Sequence, residues 1–351
     1  MPAEEPTRKR YEALAELVRD PDRGAGRWLV LTHDNPDPDA IASAAILGRI
    51  LHNGFKLKVT LGYGGIVGRA ENRELVRVLG AKLSHVRRLN AKLYQRFALV
   101  DAQPFTGNSQ LPNGVVPDLV FDHHPERHPV PDLPFKDIRP DYGATATVLA
   151  EYLEVAGLPP PRSLATAVVY AIRSETQEFG REYSRADKAV YDRLLPRIDR
   201  RALARIQNAP LPLSYFHNLH GALENLETVD TLVVSHLGVV EQPDIVPEVA
   251  DLLLRMEGKT WSLSTGRFGD RVYLSIRTTN SRADAGALMR RLVGRRGKGG
   301  GHGMVAGGWI PLDRAPGGDP VAVQKVLARR LARLLRKKVD KLTPIDLEAR
   351  A

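Results

Sequence analysis

Three short runs rich in Leu and Val break into aspartate and histidine at their carboxyl ends: LVLTHDNPDPDA (29–40), FALVDAQ (97–103) and DLVFDHHPER (118–127). A short apolar run bounded by turn residues reads as a buried strand. An opening helix over about 7–19 precedes the first run, which is expected to form a strand over 27–33. A helix over 39–52 follows, small residues first and larger apolar ones after. Then come a strand FKLKVTLG, a helix over 71–79, the second run, a Pro- and Gly-rich turn (104–114) and the third run. This alternation predicts a doubly wound, mostly parallel sheet. Residues 143–208 read as almost wholly helical and are expected to cover that sheet.

A second α/β pattern begins with VDTLVVSHLGVV (229–240) and a helix over 245–256. Two alternating runs in TWSLSTGRFGDRVYLSIRTT are joined by Gly269-Asp270, a hairpin signal. A helix over 283–292, a glycine loop, a short strand GGWIPL and a basic terminal helix complete it. The expected organisation is a first domain over 1–210, a connecting region over 211–228 and a smaller α/β domain over 229–351.

Composition narrows the chemistry. The chain has 351 residues, long enough for two cores, with 43% hydrophobic and 26% charged residues, as in ordinary globular proteins. Cysteine is absent, which excludes disulfides, thiolate nucleophiles and Cys-ligated zinc, and fits a reducing cytoplasm. No apolar run approaches the ~18 residues that suggest a membrane span, and the N-terminus has no apolar signal core. A cytoplasmic location is therefore expected. The net charge of +10 is concentrated late in the chain, in Arg290, Arg291, Arg295, Arg296 and Lys298 and along the last helix. That distribution suits a phosphate-bearing or nucleic-acid substrate, and equally a solvated basic surface.

In open α/β sheets the carboxyl edge is where ligands bind. Strand ends supplying His33, Asp37, Asp39, Asp101, Asp122, His123 and His124 predict one pocket dense in carboxylate and imidazole. Such a cluster repels itself unless cations sit in it. Either Asp37 or Asp39 could instead cap the following helix. Asp101 has no cap pattern after it, and Asp122-His123-His124 sets two imidazoles beside a carboxylate that can orient one of them. Hard carboxylates with a minority of histidine favour Mn²⁺ or Mg²⁺ over zinc or copper.

These residues resemble the motifs of the DHH/DHHA1 phosphoesterase superfamily. His33, Asn35, Pro36, Asp37, Asp39 and Ser43 match its H-x-N-P-D-x-D-x-x-x-S pattern, Asp101 its second motif, and Asp122-His123-His124 the triplet that names it. A fourth motif ordinarily carries a metal-binding Asp where this chain has Glu175. An altered metal preference, a lower activity and a repositioned backbone are all open there, as is a salt-bridged helix Glu that binds no metal. Lys298 to Gly308 resembles the G-G-G-H loop of the DHHA1 domain, and Ser275 to Asn280 its S-x-R-S strand.

The resemblance implies an active site in the cleft between two α/β domains and hydrolysis of a phosphoester with two divalent metal ions, Mn²⁺ ahead of Mg²⁺. One ion falls to His33, Asp37, Asp101 and Glu175, the other to Asp39, Asp101, His123 and Glu175. It implies His124, oriented by Asp122, as the group that stabilises or protonates the transferring phosphate. Substrate binding falls to Arg277, Asn280, Gly299, Gly300, Gly301 and His302. Length and domain content resemble the nanoRNase/pAp-phosphatase branch, related to RecJ. The expected substrates are thus short RNA, dinucleotides or nucleoside bisphosphates such as pAp, with room for a homodimer. Tyr63, Phe105 and Phe179 serve either as base-stacking partners or as core. Two other functions remain open from sequence: an inorganic pyrophosphatase or exopolyphosphatase, and a catalytically weakened nucleotide-binding regulator.

Overall fold

A computed structural model describes residues 5–22, 24–126, 133–180, 182–315 and 320–345, with the side chains of His302, Pro320 and Val321 left aside. The chain divides into two compact units, Met1–Ala209 and Pro210–Ala351.

The first unit is built on six parallel strands: β1 (Arg27–Leu31), β2 (Lys58–Tyr63), β3 (Leu83–His85), β4 (Arg96–Val100), β5 (Leu119–Asp122) and β6 (Phe135–Ile138). Their order is β3-β2-β1-β4-β5-β6, so the winding reverses between β1 and β4. That reversal leaves a crevice at the carboxyl ends of these two strands. The helices are α1 (Glu5–Arg19), α2 (Pro38–Arg49), α3 (Ala70–Leu79), α4 (Thr145–Val155), α5 (Arg162–Glu175), α6 (Arg185–Leu194) and α7 (Arg200–Gln207). On one sheet face Trp28, Val30, Ala98, Val100 and Phe121 are buried with the apolar residues of these helices. On the other, Leu29, Leu31, Phe97, Leu99 and Val120 lie beneath Leu89, Tyr94, Leu111 and Val115 from the connections. Burial on both faces is why these strands read as unbroken apolar runs.

Several boundaries differ from expectation. The first run leaves the sheet at Leu31, and His33 keeps only an isolated bridge to Ser109. Helix α2 passes into a π turn, Ile50–Gly54. The short edge strands β3 and β6 have too few apolar residues to stand out in sequence. Strand β6 carries Asp137, which is fully buried and accepts from Tyr152 Oη (2.7 Å), Arg139 Nε and Nη2 (3.0 and 2.7 Å) and Arg10 Nη1 (2.5 Å). Removing the carboxylate strands buried guanidinium charge. Asp137→Leu is therefore expected to lower unfolding free energy by about 3 kcal/mol, read from the urea midpoint. A change below about 0.5 kcal/mol would show the network to be idle.

The second unit holds seven strands: β7 (Leu226–Val229), β8 (Leu232–Val239), β9 (Trp261–Phe268), β10 (Arg271–Thr278), β11 (Lys298–His302), β12 (Val305–Pro311) and β13 (Thr343–Pro344), in the order β11-β12-β10-β9-β8-β7-β13. Among the described residues of this unit, only β8 and β9 pair in parallel. Helices α8 (Leu213–Glu224) and α9 (Ile245–Leu253) cover the face bearing Val233 and Leu237. Helices α10 (Ala285–Val293) and α11 (Pro320–Leu334) cover the face bearing Leu232, Val234 and Leu263. Residues 211–228, expected as a connection, carry α8 and β7, whose Ala222 and Leu226 lie in this unit's core. The expected hairpin is present, with Gly269 at φ +59° in its turn.

The expected glycine loop is a strand. Residues Lys298–His302 pair antiparallel with β12 along the sheet edge, and α10 lies against them. A Cβ on Gly286 of α10 would sit 2.1 Å from the Gly301 carbonyl oxygen, and one on Gly299 would sit 2.8 Å from Met289 Cγ. Close helix–strand packing thus demands glycine at these positions by itself.

Candidate metal centre

The connection after β1 is folded by its own polar side chains. Asn35 adopts φ +58° and its Oδ1 accepts from the Ile66 amide (2.8 Å). Asp37 caps α2, its Oδ1 accepting from the Ala40 amide (3.0 Å), with Pro38 at the first helical position. Capping uses one oxygen. The other, Oδ2, lies 3.7 Å from His33 Nε2. His33 Nδ1 lies 2.9 Å from the Asp34 carbonyl oxygen, which selects the tautomer with a proton there and turns the Nε2 lone pair toward the carboxylates.

Asp101 follows β4 directly, at φ +54° and 3% exposed. Aspartate tolerates this conformation better than most residues, and such backbones cluster at functional sites. Its two oxygens face different groups. Oδ2 is 3.4 Å from His33 Nε2, while Oδ1 is 3.7 Å from His123 Nε2, 3.6 Å from His124 Nδ1 and accepts from Thr145 Oγ1 at 3.1 Å. Donor atoms of His33, Asp37 and Asp101 lie within 4.8 Å of one another, and so do those of Asp101, His123 and His124. One carboxylate belongs to both groups.

Asp122 ends β5 with its carboxylate committed. Oδ1 accepts from the amides of His123 and His124 (2.8 and 3.2 Å) and from His124 Nδ1 (2.9 Å), and Oδ2 from Gln103 Nε2 (2.7 Å). It orients His124 and touches no reacting atom, so we describe it as a positioning residue. His123 Nδ1 lies 3.1 Å from the Tyr142 carbonyl oxygen, and its Nε2 is buried with no hydrogen-bond partner among the described residues. A buried nitrogen without a partner is costly. Facing Asp101 and, at 4.0 Å, Asp39 Oδ2, it has the surroundings a metal ligand requires. The donor set therefore fits divalent cations.

Asp39 and Glu175 stand outside both close groups. Asp39, 1% exposed, accepts from the amides of Thr145 (2.7 Å) and Ala146 (2.8 Å). It thereby caps α4, whose own N-cap residue is Ala144 and has no side chain to do so. Glu175 is the last residue of α5. Burial, then the charge of Asp37, pushes its carboxyl up to about 7, with Asp101 adding to the rise. Asp39 is likewise raised, by burial and then Asp101. For Asp101 burial acts upward, but the His33 hydrogen bond and the charges of His124, His33 and His123 outweigh it and hold the carboxyl well below the usual range. His124 rises to about 9 because the Asp122 hydrogen bond and the Asp101 and Asp122 charges exceed the opposing effect of burial.

Metal binding to the folded state and not to the unfolded chain stabilises the fold. Dialysis against EDTA followed by Mn²⁺ at about 100 times its dissociation constant is expected to raise unfolding free energy by about 2.7 kcal/mol. An unchanged midpoint would remove the case for a metal site.

Four residues that shape the site escaped the sequence reading: Gln103, which also donates to the His124 carbonyl oxygen (2.9 Å), Tyr142, Thr145 and Asp187. Asp187, fully buried, accepts from the Gly143 amide (2.7 Å), Thr147 Oγ1 (2.5 Å), the Ser184 amide (2.7 Å) and Ser184 Oγ (2.6 Å). It anchors the 142–147 segment that contacts His123, Asp39 and Asp101. The available signal was a helix opening on Gly143-Ala144 with no capping side chain, which requires an acceptor from elsewhere.

In the second unit, Arg277 is 8% exposed and donates from Nε to Asp251 Oδ1 (2.5 Å) and from Nη1 to Ser275 Oγ (2.7 Å). Asn280 is exposed, and its Oδ1 accepts from the Arg282 amide. Gly299, Gly300 and Gly301 lie in β11, and the His302 side chain is outside the described residues. Of the three aromatic candidates, Phe105 is 63% exposed, Phe179 packs on Tyr183 and Tyr191, and Tyr63 packs on His85.

Residues 27–172 match the DHH family, N-terminal domain, and residues 230–329 the DHHA1 domain. The curated protein named Uncharacterized protein MJ1633, from Methanocaldococcus jannaschii, is 35% identical over 288 residues, 81% of this chain. The chain spans 58% of that relative's length. The crystal structure of an exopolyphosphatase-related protein from Bacteroides fragilis superposes with a TM-score of 0.72 at 15% identity. The superposition covers 93% of this chain and 98% of that one, a likeness of fold. No helix among the described residues is long and apolar enough to cross a membrane.

Proposed function

The chain belongs to the DHH/DHHA1 phosphoesterase superfamily of metal-dependent hydrolases, and from that premise we propose that it hydrolyses short oligoribonucleotides, dinucleotides or pAp with two manganese ions. The observation that carries this reading is the Asp101 carboxylate, turned with one oxygen toward His33 and Asp37 and the other toward His123 and His124. His33, Asp37 and Asp101 would hold one ion, and Asp101 and His123 the other, with Asp39 and Glu175 completing the donors. Bound there, the ions would lower the pKa of water and neutralise charge on phosphate oxygens.

The chain's own groups supply the rest. His124 is the proton donor to the phosphate, since Asp122 fixes its ring by accepting from Nδ1 at 2.9 Å and its carboxylate favours the charged imidazole. We assign binding of the substrate's anionic groups to Arg277, Asn280, Gly299, Gly300, Gly301 and His302. Arg277 suits that task because its fork is already held by Asp251 and Ser275, so less freedom is lost when an anion arrives. The test is parallel incubation with Mn²⁺ and an RNA dinucleotide, pAp and pyrophosphate. Release of mononucleotide from the first two supports the reading. Orthophosphate from pyrophosphate alone, or no turnover of any, contradicts it.

A further inference from the structure

The net positive charge of this protein resides in one segment. Residues 285–345 contain 14 Lys and Arg against three Asp, a net +11, so the rest of the +10 chain nets −1. Most of the Lys and Arg lie on α10, α11 and their flanking turns, the pair of helices on one face of the second sheet. Arg330 ties the helices together by donating from Nη2 to the Arg291 carbonyl oxygen (2.8 Å). Lys325, Arg329 and Arg333 are exposed and recur every four residues, a stripe along the outside of α11 about 12 Å long, and exposed Arg336 follows in the turn after the helix. Arg291, Arg295 and Arg296, also exposed, extend it from the end of α10. Among the described residues, Arg291, Arg295, Arg296, Arg333 and Arg336 have no carboxylate within ion-pair distance.

We propose that the outer face of α10 and α11 binds the phosphate backbone of RNA longer than the hydrolysed substrate, without reading its sequence. Uncompensated like charges in a row raise the local potential and cost stability unless a polyanion uses them. Guanidinium, which dominates here, pairs with phosphate bidentately. Bilayer binding fits poorly, because the apolar face of α11 (Val323, Leu327, Ala328, Leu331, Ala332) is spent in the core and none is left to insert among lipids. Exposed aromatic groups are also missing from the stripe among the described residues, so contacts go to phosphates rather than bases.

The surface is independent of the metal centre. A chain that binds RNA yet hydrolyses nothing would sink the proposed activity and leave this inference standing. The experiment is fluorescence anisotropy of the full chain with a labelled, unstructured RNA of about 30 nucleotides in EDTA, across a salt series. Contacts to about four to seven phosphates predict a log–log salt slope of about −3 to −5. The variant R329E/R333E/R336E should bind at least tenfold more weakly and lose about 2 from the slope's magnitude. R291Q/R295Q/R296Q, which reverses no charge, should fall between it and wild type, and both variants should turn over the dinucleotide at the wild-type rate. Wild-type affinity in both variants, a flat salt series, or preference for inorganic polyphosphate or phosphatidylserine vesicles over RNA would overturn the proposal.

Discussion

Asp101→Asn is expected to lower hydrolysis at least a thousandfold, about 4 kcal/mol of barrier. The substitution keeps the side chain's size and leaves an oxygen to accept from Thr145, but removes the one carboxylate that, among the described residues, is common to both close donor groups. Each ion then loses the carboxylate that faces its histidine, and His33 with Asp37 on one side and His123 with Asp39 on the other, even with Glu175, lack the donor that joins the two sites. The second readout separates chemistry from folding. The metal-free variant should unfold cooperatively, and Mn²⁺ should no longer raise its midpoint. Near-normal turnover, or a retained manganese shift, would refute the assignment of Asp101.

Asp187→Ala should have the largest effect on stability, about 3–5 kcal/mol. Four donors point at this buried carboxylate, and its removal leaves the Gly143 and Ser184 amides and two hydroxyls without their acceptor. Each unsatisfied buried group costs about 1–3 kcal/mol, less where a hydroxyl turns to another partner. Repacking around Gly143 offers little relief, since a Cβ there would already meet Thr176 Cγ2 at 2.7 Å. Because residues 142–147 contact His123, Asp39 and Asp101, any folded variant should also lose metal affinity. The urea midpoint measures the first effect and a manganese titration the second. A loss under 1 kcal/mol with unchanged metal binding would show that Asp187 does not anchor the segment.

What sequence revealed here follows from what it encodes locally. Strand ends in His and Asp are visible because a run of Leu and Val buried on two faces leaves an abrupt polar edge, as at Val100-Asp101 and Phe121-Asp122. The cap role of Asp37 was legible too, since an Asp before Pro at a helix start satisfies orphan amides. Asp39 also proved to cap a helix, but α4, which lies 106 residues further on. No local pattern announces a cap supplied across the fold. The second unit illustrates the converse error. Glycine signals freedom in sequence, yet Gly299 lies in an edge strand where Met289 and Val293 of α10 leave no space for a side chain, and a Cβ on Gly301 would meet Val305 and Ala306 of β12. Asp187 was read as part of a helical stretch because its importance lies in Gly143, Thr147 and Ser184 converging on it, and two of those three are distant in sequence.

The central claim is that Asp101 is shared between two cations. Anomalous diffraction at the manganese edge, from crystals grown with Mn²⁺, tests it most directly. The account predicts two peaks about 3.5–4 Å apart with one Asp101 oxygen on each. A single peak, or two peaks neither of which Asp101 touches, would contradict it.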